Sequence, residues 1–181
     1  MDNFWHISAT WLHILGIALF VGPQFFLAFA WIPASRRIAD LPTRVDAMRT
    51  ITRRFGYIGG VGLALIIGSG LYQILTWRDY YAMPPADDLA FTSIRYGVIF
   101  IIKMNALIAM LILVGLHTFW IGPKQLNLLE EQARGGEVLD DEVRSWRRIS
   151  MIVSIVALVI TLAIMAMGAS MGATQYSFQD V

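Results

Sequence analysis

Four long apolar segments alternate with polar, arginine-containing stretches along this chain of 181 residues. The apolar segments cover about residues 7–31, 58–77, 96–121 and 149–169. Each is close to or longer than the ~20 residues that an α-helix needs to cross ~30 Å of hydrocarbon. Because a backbone in lipid must satisfy its own hydrogen bonds, the segments are predicted to be helices. The pattern predicts an all-α fold, a four-helix transmembrane bundle in one domain over residues 1–181, with the lipid bilayer around it.

Composition supports a membrane protein and excludes several kinds of chemistry. Charged residues make up 15% of the chain, whereas soluble domains carry about 25%. The net charge of +1 argues against a nucleic-acid partner, and the absence of cysteine excludes disulfides and thiolate metal sites. The apolar segments contain no nucleotide-binding loop, nucleophile triad or carboxylate pair. The sequence therefore leaves open whether the protein is an enzyme.

The basic residues predict how the helices are oriented. Most lysines and arginines lie in or beside the first and third loops: Arg36, Arg37, Arg44, Arg49, Arg53, Arg54, Lys124, Arg134, Arg144, Arg147 and Arg148. Loops rich in lysine and arginine stay in the cytoplasm. We therefore expect a bacterial-type inner membrane protein with both termini on the outer, periplasmic side.

The two halves of the chain share local features. Arginine pairs open the second and fourth helices, and the first and third helices each contain a Gly-Pro pair near the cytoplasmic end, Gly22-Pro23 and Gly122-Pro123. This similarity predicts two tandem helical hairpins of the same topology. The alternative is coincidence, because paired arginines at a cytoplasmic helix end are common under the positive-inside rule alone.

Small residues recur every fourth position in the second helix, at Gly56, Gly60, Ala64 and Gly68. Such a stripe allows a neighbouring backbone to approach closely in lipid. The sequence predicts that the stripe packs against another helix of the same bundle, with a homodimer interface as the alternative.

His13 and Lys103 are the ionisable residues deepest in the apolar segments. Ionisable groups inside a membrane are costly and usually functional. Counting ~1.5 Å per residue places both at a similar depth in the outer half, and both are expected to point into the bundle. His6 lies seven residues before His13, on nearly the same helix face and ~10 Å further out. His117 lies ~20 Å from Lys103, near the cytoplasmic end, so His13 and His117 are not expected to bind one haem together.

These residues also have structural interpretations. His6 and His117 could be interfacial residues, and Lys103 could extend its ammonium group toward the water. Met167 and Met171 share a helix face in the outer half. With His6 and His13 they would suit Cu(I), although methionine is also an ordinary apolar residue in helices.

A family resemblance adds to these expectations. It rests on short motifs together with Lys103 and His117: Trp11-Leu12-His13-Ile14-Leu15-Gly16, Phe20-Val21-Gly22, Arg54-Phe55-Gly56, Gly68-Ser69-Gly70 and Gly122-Pro123. Over about the first 125 residues the chain resembles CopD-like membrane proteins and, more distantly, HemJ-type protoporphyrinogen oxidases. The resemblance implies a helical membrane bundle that handles copper or haem, with His13 and Lys103 matching a histidine and a lysine of HemJ-like members. The second histidine of that group, at the end of the first helix, has no counterpart here.

Three functional interpretations follow. The first is a redox protein that binds haem b in the outer half, with His13 as one ligand. The second ligand would be His6, a methionine or His13 of a second copy, and Lys103 would lie near a haem propionate. The second is a copper-binding or copper-transport protein that uses His6, His13, Met167 and Met171. The third is a non-catalytic subunit of a larger membrane complex.

Overall fold

The computed structural model of the protein describes residues 2–78, 90–137 and 139–180, and its regular structure there is helical. Helix α1 covers Asp2–Phe25, continues through a π-helical turn at Phe26–Trp31 and ends with Ile32–Ser35. Helix α2 covers Leu41–Leu75. Helix α3 covers Arg95–Leu116, a π-helical turn at His117–Ile121, and Gly122–Ala133. Helix α4 covers Asp140–Gly172, and the short α5 covers Thr174–Ser177.

All four predicted segments lie in helices that are long and apolar enough to cross a membrane. The all-α prediction is confirmed. The helices divide into two compact units, each built on one hairpin. Hairpin 1 pairs α1 with α2 and includes the end of α3 from Leu126 onward, and hairpin 2 pairs the rest of α3 with α4 and includes α5.

The helices extend beyond the predicted apolar segments because their polar ends continue into water. Asp40 caps α2, since its carboxylate accepts a hydrogen bond from the Thr43 backbone N–H at 2.9 Å. Helix α2 therefore begins at Leu41, well before the apolar segment. Helix α4 begins at an acidic first turn, Asp140, Asp141 and Glu142, which complements the positive end of the helix dipole.

A wide π-helical turn precedes a proline in both hairpins. The Ile32 N–H bonds the Leu27 carbonyl and the Gly122 N–H bonds the His117 carbonyl, each across five residues. Pro33 and Pro123 each come two positions after the last residue of these turns. Since proline clashes with the carbonyl four residues before it, the wider turn lets the helix continue. From the sequence, Gly22-Pro23 of the first half was matched with Gly122-Pro123 of the second half. In the structure the counterpart of Pro123 is Pro33, because α1 remains α-helical at Pro23.

The predicted role of the small-residue stripe is wrong in hairpin 1. A Cβ added at Gly56, Gly60 or Gly68 would meet nothing within 4 Å, so these positions make no close contact with α1. The close approach involves Gly62 instead. A Cβ on Gly62 would lie 2.8 Å from the Gly16 carbonyl oxygen, and one on Gly16 would lie 2.7 Å from the Gly62 carbonyl oxygen. The two backbones are in direct contact there, which only glycine allows.

The polar end of hairpin 1 is joined by charged side chains. Glu130, near the end of α3, accepts hydrogen bonds from Arg49 of α2 and from Arg134, the latter at 2.6 Å. Arg49 also donates to Asn127 at 3.4 Å. Exposed ion pairs contribute little stability individually, so their effect here is to fix the side of α2 on which this end of α3 lies.

In hairpin 2 the C-terminal residues cover the beginning of α3. The Arg95 N–H bonds the Gln179 carbonyl at 3.0 Å, and Tyr96 stacks on Phe178 with ring centroids 5.7 Å apart. Ile94 and Ser177 are fully buried there. The contact provides a backbone partner for an N–H at the start of α3 that the helix itself leaves unbonded.

Candidate functional site

His13 is held by the second helix of its own hairpin. Its Nδ1 lies 3.0 Å from the Oγ of Ser69, a buried residue of α2. A Cβ added at Gly70 would lie 3.2 Å from the His13 Cε1, so the absence of a side chain there leaves room for the ring. His13 therefore points at α2, as the cost of exposing it to lipid predicted.

The hydrogen bonds of Ser69 assign the tautomer of His13. The Ser69 hydroxyl donates to the Leu65 carbonyl of its own helix. A hydroxyl has a single proton, so Ser69 acts as the acceptor toward His13. His13 Nδ1 then carries the hydrogen, and in a neutral ring the lone pair is on Nε2. Neutral imidazole with this arrangement is a good metal ligand, because a hydrogen bond from the other nitrogen fixes the ring and raises its basicity.

The position of Ser69 depends on the contact between Gly16 and Gly62. Ser69 follows Gly62 by seven residues, which is close to two helical turns and places both on the same face of α2. Both are buried. The backbone contact at the two glycines therefore sets the register that brings Ser69 to His13.

A groove of about 220 Å³ lies beside this pair in hairpin 1. It is lined by Trp5, Ser8, Ala9, Leu12, Gly68, Ser69 and Tyr72. His6 is half-buried on α1, seven residues before His13. Because ~10 Å of helix separates the two, His6 cannot bind the opposite side of a metal ion held by His13.

Lys103 lies in hairpin 2, where its amine is directed at α4. A Cβ added at Gly168 would lie 3.6 Å from the Lys103 Nζ. Lys103 is half-buried, and within residues 2–78, 90–137 and 139–180 the structure gives it no hydrogen bond or ion pair. The direction of the Lys103 side chain, toward α4, agrees with the prediction that this residue points into the protein. The side chain packs on Gly168 instead of lying along the lipid.

The two candidate methionine ligands are on the same part of α4. Met171 is buried and Met167 is half-buried, and they lie on either side of Gly168. Among the described residues no group of three or more histidine, aspartate or glutamate side chains could hold a metal ion. The metal site predicted from His6, His13, Met167 and Met171 stays a prediction, since the histidines belong to hairpin 1 and the methionines to hairpin 2.

His117 forms a separate cluster near the other end of hairpin 2. Its Nε2 lies 3.0 Å from the Ser150 Oγ and 3.1 Å from the Ser154 Oγ. We call Ser150 and Ser154 the inner serine pair. Serine hydroxyls both donate and accept, so the pair can satisfy His117 in either tautomer. His117 also begins the π-helical turn of α3, which fits a structural role as well as a cofactor role.

The sequence identified the histidines but missed the serines that position them. The depth count that compared His13 with Lys103 could have found them. Measured along the predicted apolar segments, Ser69 lies about as far from the outer end of segment 58–77 as His13 lies from the outer end of segment 7–31. The inner serine pair contacts His117 and so lies at its level. The predicted joint site of His13 and Lys103 stays a prediction.

No family model, curated protein or solved structure matches this chain. What is shown is an integral membrane protein built from four apolar helices, with a hydrogen-bonded histidine in each hairpin.

Proposed function

We propose that the protein is a membrane redox protein that binds haem b in the outer half, with His13 Nε2 as an axial ligand. The contact between His13 and Ser69 carries the proposal, because an Nδ1–H that bonds to Ser69 leaves Nε2 as the ligating nitrogen of the neutral imidazole. The resemblance to CopD-like proteins belongs to the same proposal. So does the orientation, with both termini on the periplasmic side of a bacterial-type inner membrane.

Each residue would have a distinct task in such a site. Bound haem supplies one-electron chemistry at a potential tuned by its ligands and their surroundings. Ser69 holds the ring orientation through His13 Nδ1, and Gly70 leaves space for the imidazole. Lys103 would be the partner of a carboxylate such as a haem propionate, since a protonated amine inside a membrane is stabilised by an anion. The donor set of His13 with its Ser69 acceptor fits haem on one side.

A second iron ligand, if one is used, would come from an element other than α1. His6 is excluded by its place on the same helix as His13. His13 of a second copy would solve this geometry, which makes a homodimer with haem between its subunits part of the proposal.

Copper is the second candidate, and Lys103 argues against it. The Lys103 amine lies against Gly168, between the two methionines that a Cu(I) site would use. A protonated amine at that place repels a metal cation and attracts an anion. Haem therefore accounts for Lys103 better than copper does. If neither is bound, the third interpretation, a subunit that packs in a larger membrane complex, takes the lead.

Absorption spectroscopy of the purified protein tests the proposal. We expect a Soret band in the wild type, its loss in His13→Ala, and its retention in His117→Ala, which removes the half-buried histidine of hairpin 2 as a matched control. Ser69→Ala should keep the haem but shift its reduction potential, because the ring loses its Nδ1–H acceptor. Wild type without haem, or a His13→Ala spectrum identical to wild type, would overturn the assignment. Stoichiometric copper without a Soret band would favour the copper alternative.

A further inference from the structure

An arginine pair in hairpin 1 lies at the level of exposed apolar side chains, which are of the kind that face lipid. Phe26 of α1 and Phe55 of α2 meet edge to face with ring centroids 5.6 Å apart. Arg53 and Arg54 come directly before Phe55. The pair is therefore at the height of the π-helical turn of α1, and both side chains are exposed.

Large apolar side chains continue past this level toward the arginine-rich end. Phe29 is 71% exposed and Ile32 is 43% exposed, and Phe25 stacks on Phe29. Exposed phenylalanine and isoleucine are stable next to acyl chains and costly in water. Arg53 and Arg54 thus sit at the boundary of the hydrocarbon, where a charged side chain requires an anionic partner.

The described part of the chain supplies no such partner. Neither Arg53 nor Arg54 forms an ion pair or side-chain hydrogen bond within residues 2–78, 90–137 and 139–180. The carboxylate of Glu130 is taken by Arg49 and Arg134, and that of Asp40 caps α2.

Hairpin 2 repeats the arrangement independently. Trp120 and Trp146 meet edge to face with centroids 6.1 Å apart, and Arg147 and Arg148 follow Trp146 directly. Phe119 is 84% exposed and Trp120 is 61% exposed. The acidic residues at the start of α4 already have partners, since Glu142 lies 3.7 Å from Lys124 and Asp141 lies 3.7 Å from Arg144.

We propose that each hairpin binds the headgroup of an anionic phospholipid at its arginine pair, Arg53 with Arg54 and Arg147 with Arg148. Guanidinium groups bind phosphate oxygens through two parallel hydrogen bonds. The acyl chains would lie on the exposed aromatic side chains at the same level. Net negative headgroups are preferred because the surrounding end of each hairpin is rich in arginine. The proposal does not depend on haem or copper.

The test compares lipid binding in matched variants. Protein reconstituted in phosphatidylcholine vesicles, with and without phosphatidylglycerol, is assayed for its thermal midpoint and, by native mass spectrometry, for retained lipid. Phosphatidylglycerol should raise the midpoint of the wild type by about 8 °C, from the attraction of the four arginines in the two pairs. Arg53→Gln with Arg54→Gln should lose about half of this shift and one retained lipid. Arg36→Gln with Arg37→Gln removes the same charge beyond the end of α1 and should behave as wild type.

Three outcomes would overturn the proposal. These are an equal response of both double variants, no response of the wild type, and an equal shift produced by inorganic phosphate in detergent, which would indicate a free-anion site. If the first double variant does not fold, Arg147→Gln with Arg148→Gln decides, because hairpin 2 predicts the same loss of one retained lipid.

Discussion

The contact between Gly16 and Gly62 gives the sharpest test of hairpin 1. In Gly62→Ala the new Cβ would lie 2.8 Å from the Gly16 carbonyl oxygen and from the Phe20 nitrogen. Ordinary contact begins at 3.4 Å, so the helices must separate by roughly 0.6 Å at this point. Both neighbours are backbone atoms, which cannot rotate away. Overpacking of this kind costs about 1–3 kcal/mol, and we expect Gly62→Ala to lose that much stability in reversible unfolding by SDS, followed by circular dichroism.

Gly60→Ala is the matched control, since it makes the same substitution on the same helix. A Cβ at Gly60 meets nothing within 4 Å, and alanine is the better helix former by up to about 1 kcal/mol. The control should be as stable as wild type or slightly more stable. If Gly62→Ala unfolds at the same SDS fraction as Gly60→Ala, the backbone contact does not exist and the register that places Ser69 against His13 is wrong.

Three further predictions concern topology, the cap of α2 and His117. A cysteine at Thr43 should be protected from an impermeant outside reagent while one at Thr92 is labelled, and the reverse pattern would invert the orientation. Hydrogen bonds from Thr43 lower the pKa of Asp40 below its ordinary value of 3.8, so the stabilisation by this carboxylate is complete above that value and is lost as the pH falls through the lower, folded-state pKa. Asp40→Asn keeps a capping oxygen that does not titrate, and its unfolding should depend less on pH below about 4; identical pH profiles would contradict the cap. Replacing the whole inner serine pair by alanine leaves His117 Nε2 without its partners and should cost about 1–3 kcal/mol, whereas a thermal midpoint equal to that of wild type would show that the hydroxyls do not stabilise it.

The sequence predicted the four membrane helices because the length of an apolar segment alone decides whether it can span the bilayer. It did not predict where they begin and end, since hydropathy cannot show a polar helix that continues into water. Helix α2 is set by the cap at Asp40 and begins far from the apolar segment. Among the arginines that suggested a loop, Arg49, Arg53 and Arg54 lie instead on the exposed surface of this helix.

The sequence predicted the histidines of the candidate site but did not predict the helix contact that positions them. The regular spacing of Gly56, Gly60 and Gly68 suggested an interface, yet the contact uses Gly62 with Gly16, because packing depends on the partner helix as much as on the spacing. Such pairing requires the register between two helices, which a single sequence does not contain. The exposed stripe leaves the homodimer alternative as a prediction.

The π-helical turns have a consequence for how the chain tolerates insertions and deletions. Such a turn holds one residue more than an α-helical turn, which rotates everything beyond it by about 100° around the helix axis. Deleting one residue from His117–Ile121 would turn Glu130 away from Arg49 while the face that carries Lys103 stayed in place. The polar ends of α1 and α3 can therefore rotate about the helix axis by a change of single residues in these turns, without altering the apolar face that precedes them.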